Sequence, residues 1–215
     1  MPPPYKLLLF DFDGTLVDTV DDIAHYVNEV LVKRGYPAAS VAQVKDAVGW
    51  GVHELLKILQ PSIEKSPDGL DQAVEEFKKA YRSEPVRSSK PFADVVRMLE
   101  GPLKDVRKSI VTNKPQDITL RILDELDLRN HFQAVIGTLG DFPAKPDPTS
   151  VLHLIERAGV LKKETVYIGD SAVDGQTSAA ADIDFAWMEY GYQGLEGTKA
   201  RFKFSSARDW GKLIS

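Results

Sequence analysis

A chain of 215 residues can bury one substantial core and a smaller second one, so length leaves one or two domains open. A hydrophobic fraction of 43% and a charged fraction of 27% exclude a disordered chain, and a formal charge of -5 without a lysine/arginine cluster offers no footprint for a nucleic-acid backbone. The absence of cysteine excludes disulfides, thiolate zinc sites and cysteine nucleophiles, and agrees with a reducing compartment.

At the start, MPPPYKLLLF has an apolar part too short for a signal core that runs straight into acids, so a cytoplasmic protein with no membrane segment is expected. Its PPP is too short to count as low complexity. Lys6 to Phe10 reads as the first strand, ending in Asp11-Phe12-Asp13-Gly14-Thr15. From Val20 to about Lys90 only helices are expected. Val20, Ile23, Ala24, Val27, Val30 and Leu31 make one apolar stripe, which Thr19 can cap and Gly35 and Pro37 can stop. Ser40-Val41-Ala42-Gln43 is a capping-box pattern opening a second helix that Gly49 should end. His53 to Leu59 gives a third, and Leu70, Ala73, Val74, Phe77 and Tyr81 give a fourth. The stretch SEPVRSSKP then reads as linker. Further strands are expected at Lys108 to Thr112, Ala134 to Ile136, Thr165 to Ile168 and Phe185 to Met188, separated by segments of helical period. The pattern is α/β: a parallel sheet flanked by helices, with a helical insertion splitting the first strand from the rest.

Three of these strands end in polar groups: Asp11 and Asp13 after the first, Thr112-Asn113-Lys114-Pro115 at the second, and Gly169-Asp170-Ser171 with Asp174 after the fourth. In open parallel sheets ligands sit outside the carboxyl ends of the strands, so neighbouring strands would bring these sets together. Lys145, held in Ala144-Lys145-Pro146-Asp147-Pro148, adds a positioned cation. Asp11, Asp13 and Asp170 in one crevice would repel one another without a hard cation such as Mg²⁺, and Lys145 with the Thr112 hydroxyl can hold an anion's oxygens. Metal, cation and amide donors point to a phosphoryl group, with one aspartate attacking and the other protonating the leaving oxygen. Residues two apart in an extended segment point to the same side, which lets Asp11 and Asp13 address one group in two roles. Gly14 allows the sharp turn behind them.

DFDGT, Thr112, Lys145 in AKPDP, and GDSAVD together resemble the four ordered motifs of the haloacid dehalogenase superfamily. The helical insertion after LVDT and the VGWG, TNKP and KPDP sequences are similar to its phosphoglycolate phosphatase branch. The resemblance implies a Rossmann-like core over residues 1–17 and 91–215, with a helical cap over 18–90 that governs substrate specificity. It implies a Mg²⁺-dependent phosphatase acting through an aspartyl-phosphate on a small phosphorylated metabolite, 2-phosphoglycolate being the first to try. Carried onto this chain, Asp11 is nucleophile and metal ligand. Asp13 is general acid/base, with its main-chain carbonyl on the metal. Asp170 is a direct metal ligand, and Asp174 acts on the metal at one remove. Thr112, Asn113 and Lys145 contact phosphate. The cap turn Gly49-Trp50-Gly51 is a candidate for screening substrate, with a core aromatic as the plainer reading of Trp50. Arg34, Lys45, Lys57 and Arg87 are cap cations that could meet a substrate carboxylate. The chain departs from the family at Ala181-Asp182, where an alanine-glycine pair is usual. Asp13 favours phosphoryl transfer over dehalogenation. A phosphomutase like β-phosphoglucomutase, with His25 as its cap histidine, and a non-enzymatic phospho-receiver module are the alternatives. Monomer and homodimer are left open.

Overall fold

The computed structural model describes residues 5–65 and 69–215; the PPP near the start lies outside them. In chain order the elements are β1 (Leu7–Phe10), β2 (Val17–Asp18), α1 (Val20–Lys33), α2 (Val41–Ala47), α3 (Val52–Leu59), α4 (Gly69–Ser83) and β3 (Lys90–Pro91). They continue with α5 (Val95–Glu100), β4 (Arg107–Pro115), α6 (Gln116–Glu125), β5 (Ala134–Thr138), α7 (Thr149–Ala158), β6 (Thr165–Gly169), α8 (Ala172–Ala181), β7 (Asp184–Met188) and β8 (Phe202–Phe204).

Six strands form one sheet in the order β5-β4-β1-β6-β7-β8, parallel throughout. This is the expected α/β architecture. All five strands read from the sequence are present, and β8 was not foreseen because three residues of FKF carry too little pattern to read. Every residue of β1 is buried, as an apolar run at the centre of a parallel sheet requires. Leu8 and Phe10 join the cluster that includes Ile118, Ile122 and Trp210, while Leu7 and Leu9 join the one with Val151, Leu154 and Tyr167. Full burial of such a side chain is worth about 1.5–3 kcal/mol, so β1 is a rigid mount for whatever follows it.

Helices α1 to α4 occupy the insertion. Chain passes into and out of it through the antiparallel pair β2 and β3, with Val17 opposite Pro91 and Asp18 opposite Lys90. The Ser40 capping box forms, but α2 ends at Ala47, ahead of Gly49. Thr19 does not cap α1 with its side chain. The phenol oxygen of Tyr192 instead accepts from the N–H groups of Thr19 at 2.6 Å and Val20 at 3.0 Å. SEPVRSSKP is no loose linker, because the buried Asp22 carboxylate of α1 binds it at Arg87, Ser88 and Ser89. Among the described residues, no helix is long and apolar enough to cross a membrane.

Candidate active site

The carboxyl ends of β4, β1 and β6 lie side by side, which brings Thr112, Asp11 and Asp170 together from distant parts of the chain. Asp11 follows β1 directly, with its N–H donating to Ile168 at 2.9 Å. Lys145, which precedes a cis peptide bond to Pro146, places its ammonium 2.8 Å from Asp11 Oδ1 and 2.6 Å from Asp174 Oδ1. The contact with Asp11 is an ion pair off hydrogen-bond alignment, and that buried Oδ1 has no hydrogen-bond donor among the described residues.

Asp11, Asp170 and Asp174 each bring a carboxylate oxygen within 4.8 Å of the others, all buried. Desolvation, the repulsion of Asp174 and, to a smaller extent, that of Asp13 push the Asp11 carboxyl up to about 7, against the opposing pull of Lys145. Asp170 is driven well above the usual carboxylate range by desolvation, then by Asp174 and Asp11. Burial alone would lower Lys145, but Asp11 and Asp174 outweigh it and raise its ammonium well above the ordinary lysine value. Three acids against one ammonium, with an orphaned oxygen on Asp11, form a group that could hold a hard divalent cation.

The supports of this cluster are specific. Asp170 accepts from the Thr15 hydroxyl at 3.1 Å and from the Tyr192 N–H at 2.7 Å. A Cβ on Gly14, which has φ +82°, would lie 2.4 Å from Asp170 Oδ2, and one on Gly191 would lie 2.1 Å from Asp170 Cβ. Only glycine fits at either place. Asp174 Oδ2 accepts from the Ser171 N–H and hydroxyl, so this residue caps α8 while its other oxygen holds Lys145. At the far end of α8, Asp182 stands in the left-handed conformation with φ 58°. That is the position where a glycine is usual, and aspartate tolerates it better than most residues.

Asp13 faces away from the acid cluster. Its carboxylate accepts from Thr19 Oγ1 at 2.5 Å and sits 3.1 Å from the ammonium of Lys114, which also donates to the Tyr81 phenol at 3.0 Å. Asp11 and Asp13 nevertheless line one cavity of about 40 Å³ between the sheet and the inserted helices, together with Thr112, Gly49 and Gly51. Two side chains from one short segment thus meet the same space with different neighbours.

The Asn113 side chain is committed elsewhere. Its Nδ2 donates to Gly49 O and to Lys145 O, both at 3.0 Å, and its Oδ1 accepts from the Lys145 N–H at 2.8 Å. No donor of its side chain is left for a phosphoryl group; it holds Lys145 in place and reaches the cap turn. Trp50 is half-buried and does not line the cavity, whereas Val48, Gly49, Gly51 and Val52 do. None of Arg34, Lys45, Lys57 and Arg87 lines it either. Arg34, Lys57 and Arg87 are paired with Glu76, Glu54 and Glu84, and Lys45 lies over the Tyr192 ring. His25 and His53 are exposed. The basic residue at the cavity is Lys114, which carried no role in the sequence reading. The available signal was its place two residues after Thr112 in TNKP, at the end of the strand.

A family model for haloacid dehalogenase-like hydrolases matches residues 8–188. The chain belongs to that family. Among its curated relatives, the phosphoglycolate phosphatase of Aquifex aeolicus is 31% identical over 213 residues, covering 97% of this chain and 96% of its own. That of Thiobacillus denitrificans is 32% identical over 197 residues, covering 89% and 86%. A crystal structure described as a predicted phosphoglycolate phosphatase from Haemophilus somnus matches with a TM-score of 0.90 over 98% of each chain at 24% identity, a likeness of fold. As a haloacid dehalogenase-like hydrolase, the chain carries its motifs on the ends of β1, β4 and β6 and on the Lys145 turn.

Proposed function

We propose that the protein is a cytoplasmic phosphatase that hydrolyses a small phosphate monoester, with 2-phosphoglycolate the first candidate, through an aspartyl-phosphate on Asp11. The observation that carries this reading is the division of labour at one cavity: Asp11 lies against Lys145 and two buried acids, while Asp13 lies against Thr19 and Lys114. An Asp11 oxygen attacks phosphorus as the bond to the leaving oxygen breaks, and the Asp13 carboxyl gives its proton to that oxygen. Asp13 then takes a proton from water as the water oxygen attacks phosphorus, which releases phosphate and restores Asp11. Lys145 and the Thr112 hydroxyl would hold the phosphoryl oxygens. Thr112 Oγ1 accepts from the Lys114 N–H at 3.2 Å, so its proton remains available to donate.

Asp11 and Asp170 would hold Mg²⁺, with the Asp13 main-chain carbonyl beside them and Asp174 acting through water. The ion would neutralise the acid cluster and draw charge from the phosphoryl oxygens. The two curated relatives named phosphoglycolate phosphatase support the choice of ester. The exposed His25 gives no support to a mutase, and the helical insertion with Asp13 sets the chain apart from a phospho-receiver.

Phosphate release from a panel of small esters, with and without Mg²⁺, tests the reading. Wild type should turn over with metal, and Asp11→Asn should lose roughly 10³-fold or more. Failure of wild type on every ester would overturn it.

A further inference from the structure

The cavity beneath the inserted helices is apolar on the cap side, lined there by Ile23, Val48, Val52, Leu55 and Phe77. Among the described residues, Lys114 is the one basic side chain that lines it. The ammonium is almost fully enclosed, with its side chain 3% exposed. A buried ammonium needs anionic or polar partners on all three of its N–H groups. Asp13 Oδ1 and Oδ2 lie 3.1 and 3.4 Å from it and the Tyr81 phenol 3.0 Å. Both Asp13 contacts come from one carboxylate, and Lys114 also lines the cavity, where a second anion can share the ammonium.

We infer that Lys114 is a specificity-determining residue that reads an anionic group on the leaving half of the substrate; the inference rests on the phosphatase reading above. Its position sets how close that group must be. The leaving oxygen has to lie within hydrogen-bond reach of Asp13, roughly 2.6–3.2 Å. The Lys114 ammonium is itself 3.1 Å from Asp13 Oδ1. An anion separated from the ester oxygen by one or two atoms meets both constraints. A carboxylate on the carbon that bears the ester oxygen satisfies charge and reach together. Neutral alcohols of equal size would offer the ammonium no second anion, and a site built for a charged group discriminates against a ligand that lacks it.

The test compares 2-phosphoglycolate with ethyl phosphate, in which a methyl group replaces the carboxylate. In the Asp11→Asn protein, calorimetric titration in Mg²⁺ should show 2-phosphoglycolate binding roughly 10- to 100-fold tighter, the range of a charge-assisted hydrogen bond. Adding Lys114→Met should bring the ratio close to one. The same collapse should appear in kcat/KM when Lys114→Met is made alone. General damage to the site would weaken both esters alike, so the ratio separates recognition from structure. Thermal unfolding checks the fold, and Lys114→Gln serves if the methionine variant does not unfold cooperatively. A preference that survives loss of the ammonium overturns the assignment and leaves the phosphatase standing. Absence of binding and turnover for both esters in otherwise intact protein overturns both.

Discussion

In the proposed mechanism Asp11 attacks as a carboxylate, yet burial, the charge of Asp174 and, more weakly, that of Asp13 push its carboxyl up to about 7, with Lys145 opposing them. The sign of the consequence for stability is fixed by that shift. Because the folded value lies above the ordinary 3.8, the metal-free native state holds a proton that the unfolded chain has released. The associated stability is present in full below about pH 4 and is lost as pH rises through 7. Asp11→Asn removes the ionisation. In EDTA at pH 8 the variant should therefore melt above wild type by roughly 3–8 °C, equivalent to about 1–3 kcal/mol, with the gap shrinking at pH 5. Equal melting temperatures at both pH values would show that the acid cluster is not strained without metal. Asp11, Asp13 and Lys145 were legible because a rigid strand or a proline-bounded turn leaves a side chain few places to go. Asn113 and Lys114 were less so: sequence places both in TNKP, but which donor faces the cavity depends on the partner each finds across the fold. Asn113 finds Lys145 and Gly49, and Lys114 finds Asp13 and Tyr81.

Helices and strands followed their periodicity closely, since β1 and α1 bury what their patterns say they bury. The connections behaved differently. SEPVRSSKP has the composition of a linker, but its backbone donors have a partner far away in sequence. The Asp22 carboxylate accepts from the N–H groups of Arg87, Ser88 and Ser89 at 3.1, 2.8 and 2.9 Å and from the Ser89 hydroxyl at 2.5 Å. One acid on the first inserted helix thus fixes the returning chain beside the β2/β3 crossing. Composition could not reveal this, because an acid in a helix's first turn already has a sufficient local explanation in the helix dipole. Asp22→Asn keeps the shape but replaces one acceptor by an NH₂ group that faces donors. It should cost about 2–4 kcal/mol, read as a drop of roughly 5–12 °C in thermal melting. A drop under about 2 °C would mean the clamp is dispensable.

At the scale of the whole molecule, polar contacts join the inserted helices to the core at Tyr81, Arg82 and the start of α1, and two further side chains meet at one turn. Asn113 binds Gly49 O from the end of β4, and Gln193, just after β7, donates to Asp46 O at 3.1 Å and to Val48 O. The two side chains hold the Val48–Gly51 turn against the mouth of the cavity, with Gly51 close enough to Asn113 that a Cβ would sit 3.6 Å from its carbonyl. The sequence showed a glycine-flanked turn able to reach the site; it did not show what would hold it there, because both anchors lie on the other side of the cap-to-core crossing. Gln193 makes no hydrogen bond to Asp11, Asp13 or the acid cluster, so its loss would act through the turn it holds, which in the proposed function would close over a bound ester. A weaker latch lowers the closed fraction and with it the apparent affinity for a ligand that needs closure. Gln193→Ala removes hydrogen bonds worth about 1 kcal/mol, so KM for the preferred ester should rise about fivefold. Melting temperature should stay within roughly 2 °C, since local opening is separable from global unfolding. A loss confined to kcat with KM unchanged would instead place Gln193 in the chemical step and remove the latch from the account of closure.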